Sequence, residues 1–123
     1  DQENLNAIKA MKANMKSGAC GVIDFMNCQR EIKHLKPYRE VEVDQILFKI
    51  NKWSDDDYIY KKINFQDEAG EHTYVERVKI LTLKDFEHFF TEAGLIQKAV
   101  FGNYDLDDFD EENSQRLILL FQR

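Results

Sequence analysis

The stretch Met15-Lys16-Ser17-Gly18-Ala19-Cys20-Gly21-Val22-Ile23-Asp24-Phe25 decides how this chain is read. From Ala19 to Ile23 it carries no polar side chain, and Asp24 is its first charge. A strand of that kind belongs in a parallel sheet with both faces covered, where the usual alternation of apolar and polar residues is lost. Upstream, Leu5, Ile8, Met11 and Met15 recur at three- and four-residue steps between lysines. That spacing is the apolar stripe of an amphipathic helix. Ser17-Gly18 divides helix from strand, with Gly18 expected in the left-handed cap that glycine tolerates. Downstream, a short helix is expected from about Cys28 to His34, with Asn27 as its N-cap. Pro37 closes the section.

The pattern then changes. From Val41 to Ile80 apolar and polar residues alternate, as in Ile46, Phe48, Ile50 and again in Ile59, Ile63, Phe65 and Val78, Ile80. Acidic turns at 54–57 and 67–70 divide the strands. This reads as an antiparallel meander with one wet face. Thr82-Leu83-Lys84-Asp85 then has the form of an N-cap with an acid three residues on. Phe86, Phe89, Phe90 and Ala93 form an apolar helical stripe that stops at Gly94, with Leu95 packing behind it. Strands are expected over 95–104 and 116–121, the second apolar enough to be buried in a sheet.

Composition narrows the functions. A formal net charge of −6 opposes nucleic acid as a main partner, since phosphate binding needs clustered Lys and Arg. The run Asp105, Asp107, Asp108, Asp110, Glu111, Glu112 would repel such a backbone and reads as a solvated loop. It lacks the glycine and closing glutamate of a calcium-binding EF-hand loop. Hydrophobic residues make up 43% of the chain without a run long enough to cross a bilayer, so no membrane partner is expected. Cys20 is expected to be a buried small hydrophobe and Cys28 to follow a strand end. Neither pairs with His34, His72 or His88 at metal-ligand spacing, and no metal site is expected. Reduced thiols and an acidic balance fit the cytoplasm. The chain opens at Asp1 without an initiator Met, so its natural start is expected upstream.

Taken in order, these segments resemble the C-terminal half of the class I S-adenosylmethionine-dependent methyltransferases, of the small-molecule type with a β-insertion. The turn at 15–19 is similar to the family's "LKPGG" entry into a sheet strand, with Ser17-Gly18-Ala19 in place of Pro-Gly-Gly. Glu76-Arg77-Val78 followed by the capped helix to Ala93-Gly94-Leu95 resembles the family's "ER" strand and "AGL" helix end. Phe101-Gly102-Asn103-Tyr104-Asp105-Leu106 and Ser114-Gln115-Arg116-Leu117-Ile118 resemble its final hairpin. The resemblance implies an α/β fold holding the last three strands of a Rossmann-like methyltransferase sheet. Residues 1–40 and 81–123 would form this part, and 41–80 an antiparallel β insertion capping the substrate side. The strand at 116–121 would lie between those at 19–25 and 95–104.

The same resemblance implies S-adenosylmethionine as cofactor of a complete enzyme and a small-molecule substrate. It implies no cofactor site in this chain, which has neither a glycine-rich turn after a first strand nor an acid ending a second. Ligands of open α/β sheets sit at the carboxyl ends of the strands. Asp24, Phe25 and Asn27 are placed there, Tyr104 and Asp105 reach the same cleft from the hairpin, and Arg77 on the meander is positioned to clamp an acidic group. Asp24, Phe25, Asn27, Arg77 and Tyr104 are the candidate substrate-binding residues; no catalytic base is assigned. A missing N-terminal half would leave one edge of the 19–25 strand unpaired, so self-association through that edge is expected. Two other readings stay open: a self-sufficient α+β ligand-binding module, and a noncatalytic subunit completing a separate cofactor half.

Overall fold

The computed structural model describes every residue from Asp1 to Arg123. The elements follow as α1 (Gln2–Ala13), β1 (Cys20–Met26), α2 (Cys28–Lys33), β2 (Tyr38–Val43), β3 (Ile46–Ser54), β4 (Tyr58–Asp67), β5 (Gly70–Lys79), α3 (Leu83–Ala93), β6 (Ile96–Phe101) and β7 (Arg116–Gln122). They form two sheets, one ordered β1-β7-β6 and one ordered β2-β3-β4-β5. The chain divides into two units, Asp1–Arg30 with Leu81–Arg123, and Glu31–Ile80.

In the first unit β7 pairs antiparallel with both β1 and β6. Its apolar run suits the position: Leu117, Leu119 and Phe121 are buried on the helix-covered face, and Ile118 between them is buried as well. Leu117, Leu119 and Phe121 point to one face with Gly21, Ile23 and Phe25, and there α1 and α3 supply Ile8, Phe86, Phe89, Phe90 and Ala93. Phe90 lies against Phe121 with ring centroids 5.2 Å apart, and Phe25 meets Phe86 edge-on at 5.5 Å. The capping box at α3 forms as read, Thr82 accepting from Asp85 N–H while the Asp85 carboxylate accepts from Thr82 N–H. Gly94 closes the helix at φ +71, and the Lys12 ammonium of α1 donates to the Ala93 carbonyl at 2.9 Å. That cation sits where the helix dipole favours positive charge.

Several expectations need correction. The strand at 19–25 is not buried on both faces. Its burial alternates, with Val22 63% exposed and Cys20 exposed rather than buried. The reason is topological: helices cover only one face, and β1 has a neighbour on one edge alone. Gly18 is left-handed at φ +78, but in the turn entering β1; α1 ends earlier, at Ala13 with Asn14 as its cap. The strand expected over 95–104 ends at Phe101, and Tyr104 lies in the following turn.

The second unit is a meander of four strands beginning at Tyr38, earlier than Val41, and its unit begins at Glu31. The hairpin joining β2 and β3 turns on Asp44 and Gln45, both left-handed at φ 51 and 66. Such a turn normally carries glycine or asparagine, so the sequence did not signal it. Phe48, Phe65 and Tyr74 form an aromatic ladder on one face, with centroid separations of 4.9 and 5.9 Å.

Gly21 tests the packing of the first unit. A Cβ there would stand 2.5 Å from the Phe121 ring, which is 2% exposed and has no room to withdraw. Gly21→Ala is expected to lower unfolding free energy by about 1–3 kcal/mol, read as a lower urea midpoint at unchanged slope.

Candidate functional site

β1 and β6 run in the same direction, so their carboxyl ends and the start of β7 share one edge of the sheet. That edge gathers Asp24, Tyr104 and Arg116. The register pairs Asp24 with Ile118, which puts Arg116, two residues earlier on β7, on the same face as a diagonal neighbour. The Arg116 Nε donates to Asp24 Oδ1 at 2.9 Å, and the Tyr104 hydroxyl donates to Asp24 Oδ2 at 2.8 Å. Both carboxylate oxygens are thereby engaged. Burial alone pulls the Asp24 carboxyl upward, but the hydrogen bonds from Tyr104 and Arg116 and the guanidinium charge outweigh it, and the net shift is downward. The same bond raises the Tyr104 phenol, because losing its proton would set two anions side by side.

The β6–β7 loop that presents Tyr104 is held by its own side chains. Asn103 accepts from the N–H groups of Asp105 and Asp107, and its amide donates to the Asp107 carboxylate. Gly102 donates to the Asp107 carbonyl and accepts from Arg116 N–H, with Ser114 packed where a Cβ would be. Asp110 N–H donates to Ser114 Oγ at 2.7 Å. The acidic run is therefore a folded turn with carboxylates at its surface, more ordered than a merely solvated loop.

Asn27 supplies the far anchor. It is 4% exposed, and its Nδ2 donates to the carbonyls of Glu111 at 2.8 Å and Ser114 at 2.9 Å, with a longer contact to Asp110. The expected N-cap role is replaced by this one: the side chain ties the acidic loop to the end of β1. Beside it, a crevice of about 10 Å³ among Asn27, Cys28, Thr82, Phe109 and Leu117 has room for about one water. Phe25 follows Asp24 on the strand, so pleating turns its ring away from the site and into the core against Phe86. Arg77 belongs to the other unit, where its guanidinium lies 4.6 Å from the Tyr58 ring centre.

Of the residues singled out from sequence, Asp24 and Tyr104 come together. Asp105 continues the turn that presents Tyr104, with its backbone N–H on Asn103. Arg116 was missed. An arginine opening an apolar strand reads as a solvent-facing start, and only the pairing of β7 with β1 brings it to Asp24.

Gly21 lies under Phe121, Gly102 under Ser114 and Gly94 against Lys12, while Gly18 stands in the turn entering β1 and Gly70 opens β5. None of the five stands at a strand-to-helix turn, where a nucleoside cofactor finds close backbone approach.

On the meander, a groove of about 530 Å³ runs among Leu47, Lys49, Asn64, Phe65, Gln66, Glu71, His72 and Thr73. His72 stacks on Phe65 at 4.8 Å and its Nε2 is 2.9 Å from Asp67 Oδ1. At the opposite end of the sheet Trp53 stacks on Tyr60 at 5.2 Å.

Asp24 sets the behaviour of this site with pH. Because its carboxyl is depressed in the folded chain, its contribution to stability is present above the ordinary aspartate value of about 4 and is lost as pH falls below it. Asp24→Asn is expected to flatten part of that acid loss and to lower the titration midpoint of Tyr104, followed by the ¹³Cζ resonance of labelled tyrosine. An unmoved Tyr104 midpoint would show that the two side chains are not bonded in solution.

No protein-family model matches the chain, and no curated protein matches it in sequence. Solved structures do match its fold. An S-adenosylmethionine-dependent methyltransferase from Clostridium acetobutylicum ATCC 824 superposes with a TM-score of 0.77 at 15% identity, over 96% of this chain and 50% of its own. The CcbJ methyltransferase from Streptomyces caelestis gives 0.76 at 13%, over 98% of this chain and 52% of its own. CalS10, an amino pentose methyltransferase from Micromonospora echinaspora solved with S-adenosylmethionine bound, gives 0.57 at 14%, over 97% and 50%. The chain spans about half the length of each of these structures. It has the α/β fold of one half of an S-adenosylmethionine-dependent methyltransferase.

Proposed function

We propose that the chain is the C-terminal portion of an S-adenosylmethionine-dependent methyltransferase, supplying the substrate-side wall and cap but not the cofactor site. The observation that carries this reading is the sheet order β1-β7-β6 with β7 antiparallel between two parallel strands, in a chain matching half of each neighbour. In this reading the Asp24–Tyr104–Arg116 cluster forms the wall and the Glu31–Ile80 meander the cap, to which Arg77 belongs. The substrate is a small molecule, in keeping with a neighbour that is an amino pentose methyltransferase. Methyl transfer asks mainly that the acceptor be held in line and water kept out. The partner is the other half of the fold, which would bring the cofactor's binding turn to the open side of β1.

The placement of the glycines supports the absence of cofactor binding by this chain alone. The free edge of β1 supports docking by a further strand. Without that half, the same edge is a template for a second copy, most simply in a two-fold dimer. No helix is long and apolar enough to cross a membrane; the cytoplasm remains the compartment proposed from the reduced thiols. One feature favours a self-sufficient ligand-binding module instead, the 530 Å³ groove on the meander, whose size suits a small ligand.

Calorimetric titration of S-adenosylmethionine separates the readings. The purified chain is expected to give no binding heat, and the chain combined with the N-terminal half of a matching methyltransferase to give saturable binding. Micromolar affinity of the chain alone would overturn the proposal.

A further inference from the structure

The meander ends on a strand whose outer edge this chain leaves open. β5 is the last strand of its sheet, ten residues without a proline, and its pairing with β4 runs from Tyr58↔Lys79 to Asp67↔Gly70 without a bulge. Natural sheets guard such an edge with a proline, a bulge or charges that repel a second strand. Thr73 to Arg77 are all exposed, Tyr74 at 55% and Val75 at 58%. We infer that a second copy of this chain pairs with β5 edge to edge, antiparallel about a two-fold axis at Tyr74, joining two meanders into one continuous sheet. This pairing uses a different strand from β1 and does not depend on the methyltransferase reading.

Residues opposite one another in an antiparallel pair share a face, so a two-fold axis between identical strands must fall on a residue. With the axis on Tyr74, Glu71 stands opposite Arg77 of the second copy, His72 opposite Glu76 and Thr73 opposite Val75. Each of these pairs occurs twice. No other two-fold register of β5 sets both carboxylates opposite a basic side chain. Opposite charges at facing positions favour a strand pairing, and like charges oppose it. Within one copy these charges are unused. The side chains of Glu71 and Glu76 form no ion pair or hydrogen bond, although Lys61 faces Glu76 across β4. Arg77 lies over the Tyr58 ring without a carboxylate partner, and His72 is held by Asp67 through Nε2, which leaves Nδ1. The aromatic ladder of Phe48, Phe65 and Tyr74 crosses the sheet to β5 and stops there, and Tyr74 set against its own copy continues it. On β2, the other edge, the registers centred on Glu40, Val41 and Glu42 each put an acid opposite an acid. That edge is guarded by its charges, and β5 is not.

Cross-linking of the full chain tests the register, in a Cys20→Ser background that removes the exposed native thiol. Tyr74→Cys is expected to give a disulfide-linked dimer on mild oxidation, because facing Cα atoms of an antiparallel pair lie about 4.5–5.5 Å apart. Val75→Cys is the control. Its two copies would lie on either side of the axis, about 8 Å apart and beyond disulfide reach. Sedimentation equilibrium then reads the charges. Arg77→Glu and Glu71→Arg each set like charges at two facing positions and are expected to raise the dimer dissociation constant about tenfold. The double variant Glu71→Arg/Arg77→Glu re-forms both pairs with their signs exchanged and is expected to restore the parent affinity. That recovery separates lost pairing from misfolding, since both side chains are exposed. A chain that stays monomeric at its highest soluble concentration would overturn the inference. So would equal cross-linking at positions 74 and 75, or a double variant no tighter than the single ones. A dimer that ignores these charges and fails to cross-link at position 74 belongs to another surface, the β1 edge among them, and also overturns it.

Discussion

Everything in the first unit depends on β7 being buried between β1 and β6. Leu119 is fully buried and Leu117 and Phe121 nearly so, which holds the strand under α1 and α3. Because β7 runs against both neighbours, it draws their carboxyl ends to one edge and brings its own first residue, Arg116, to meet them. The site is a consequence of that packing. Asp24 comes from the end of β1, Tyr104 from the turn after β6, and Arg116 from the start of β7, and no two are neighbours in sequence. A shift of one residue in the β1–β7 register would turn Arg116 to the opposite face and separate the cluster.

The loop between β6 and β7 shows how little of such a site is left to chance. Gly102, Asn103 and Ser114 fold the turn from inside, and Asn27 holds it from the far side through three carbonyls. Tyr104 can then be largely exposed and still be held, because its hydroxyl is fixed by Asp24 while its ring stays open. The meander offers a different surface, a polar groove at one end and stacked Trp53 and Tyr60 at the other.

The sequence made the frame readable where local signals were strong. The capping box at Thr82 and Asp85, the stop at Gly94 and the apolar run from Leu117 to Phe121 each have one physical meaning, and each appears as read. Legibility failed where tertiary context decided the outcome. The run from Ala19 to Phe25 is written for a strand covered on both faces, yet Val22 is exposed because only one face and one edge are covered here. Asn27 looked like a cap because capping is what Asn does beside a helix; its actual partners lie more than eighty residues away. Arg116 carried no local signal, since an ion pair between distant strands is visible only after the strands are paired. Phe25 was misplaced for a simpler reason, that neighbours on a strand face opposite ways.

The central proposal is that the free edge of β1 pairs with a further strand supplied by another half of the fold. Backbone hydrogen exchange resolved by residue tests it most directly. In the dilute chain, amides of β7 are expected to be the slowest to exchange. Along β1 they should alternate, those directed at β7 protected and those on the free edge exchanging rapidly. Adding a matching N-terminal half should protect the exchanging set. Uniform protection of β1 in the dilute, monomeric chain would contradict the account, because it would mean that the chain covers this edge by itself.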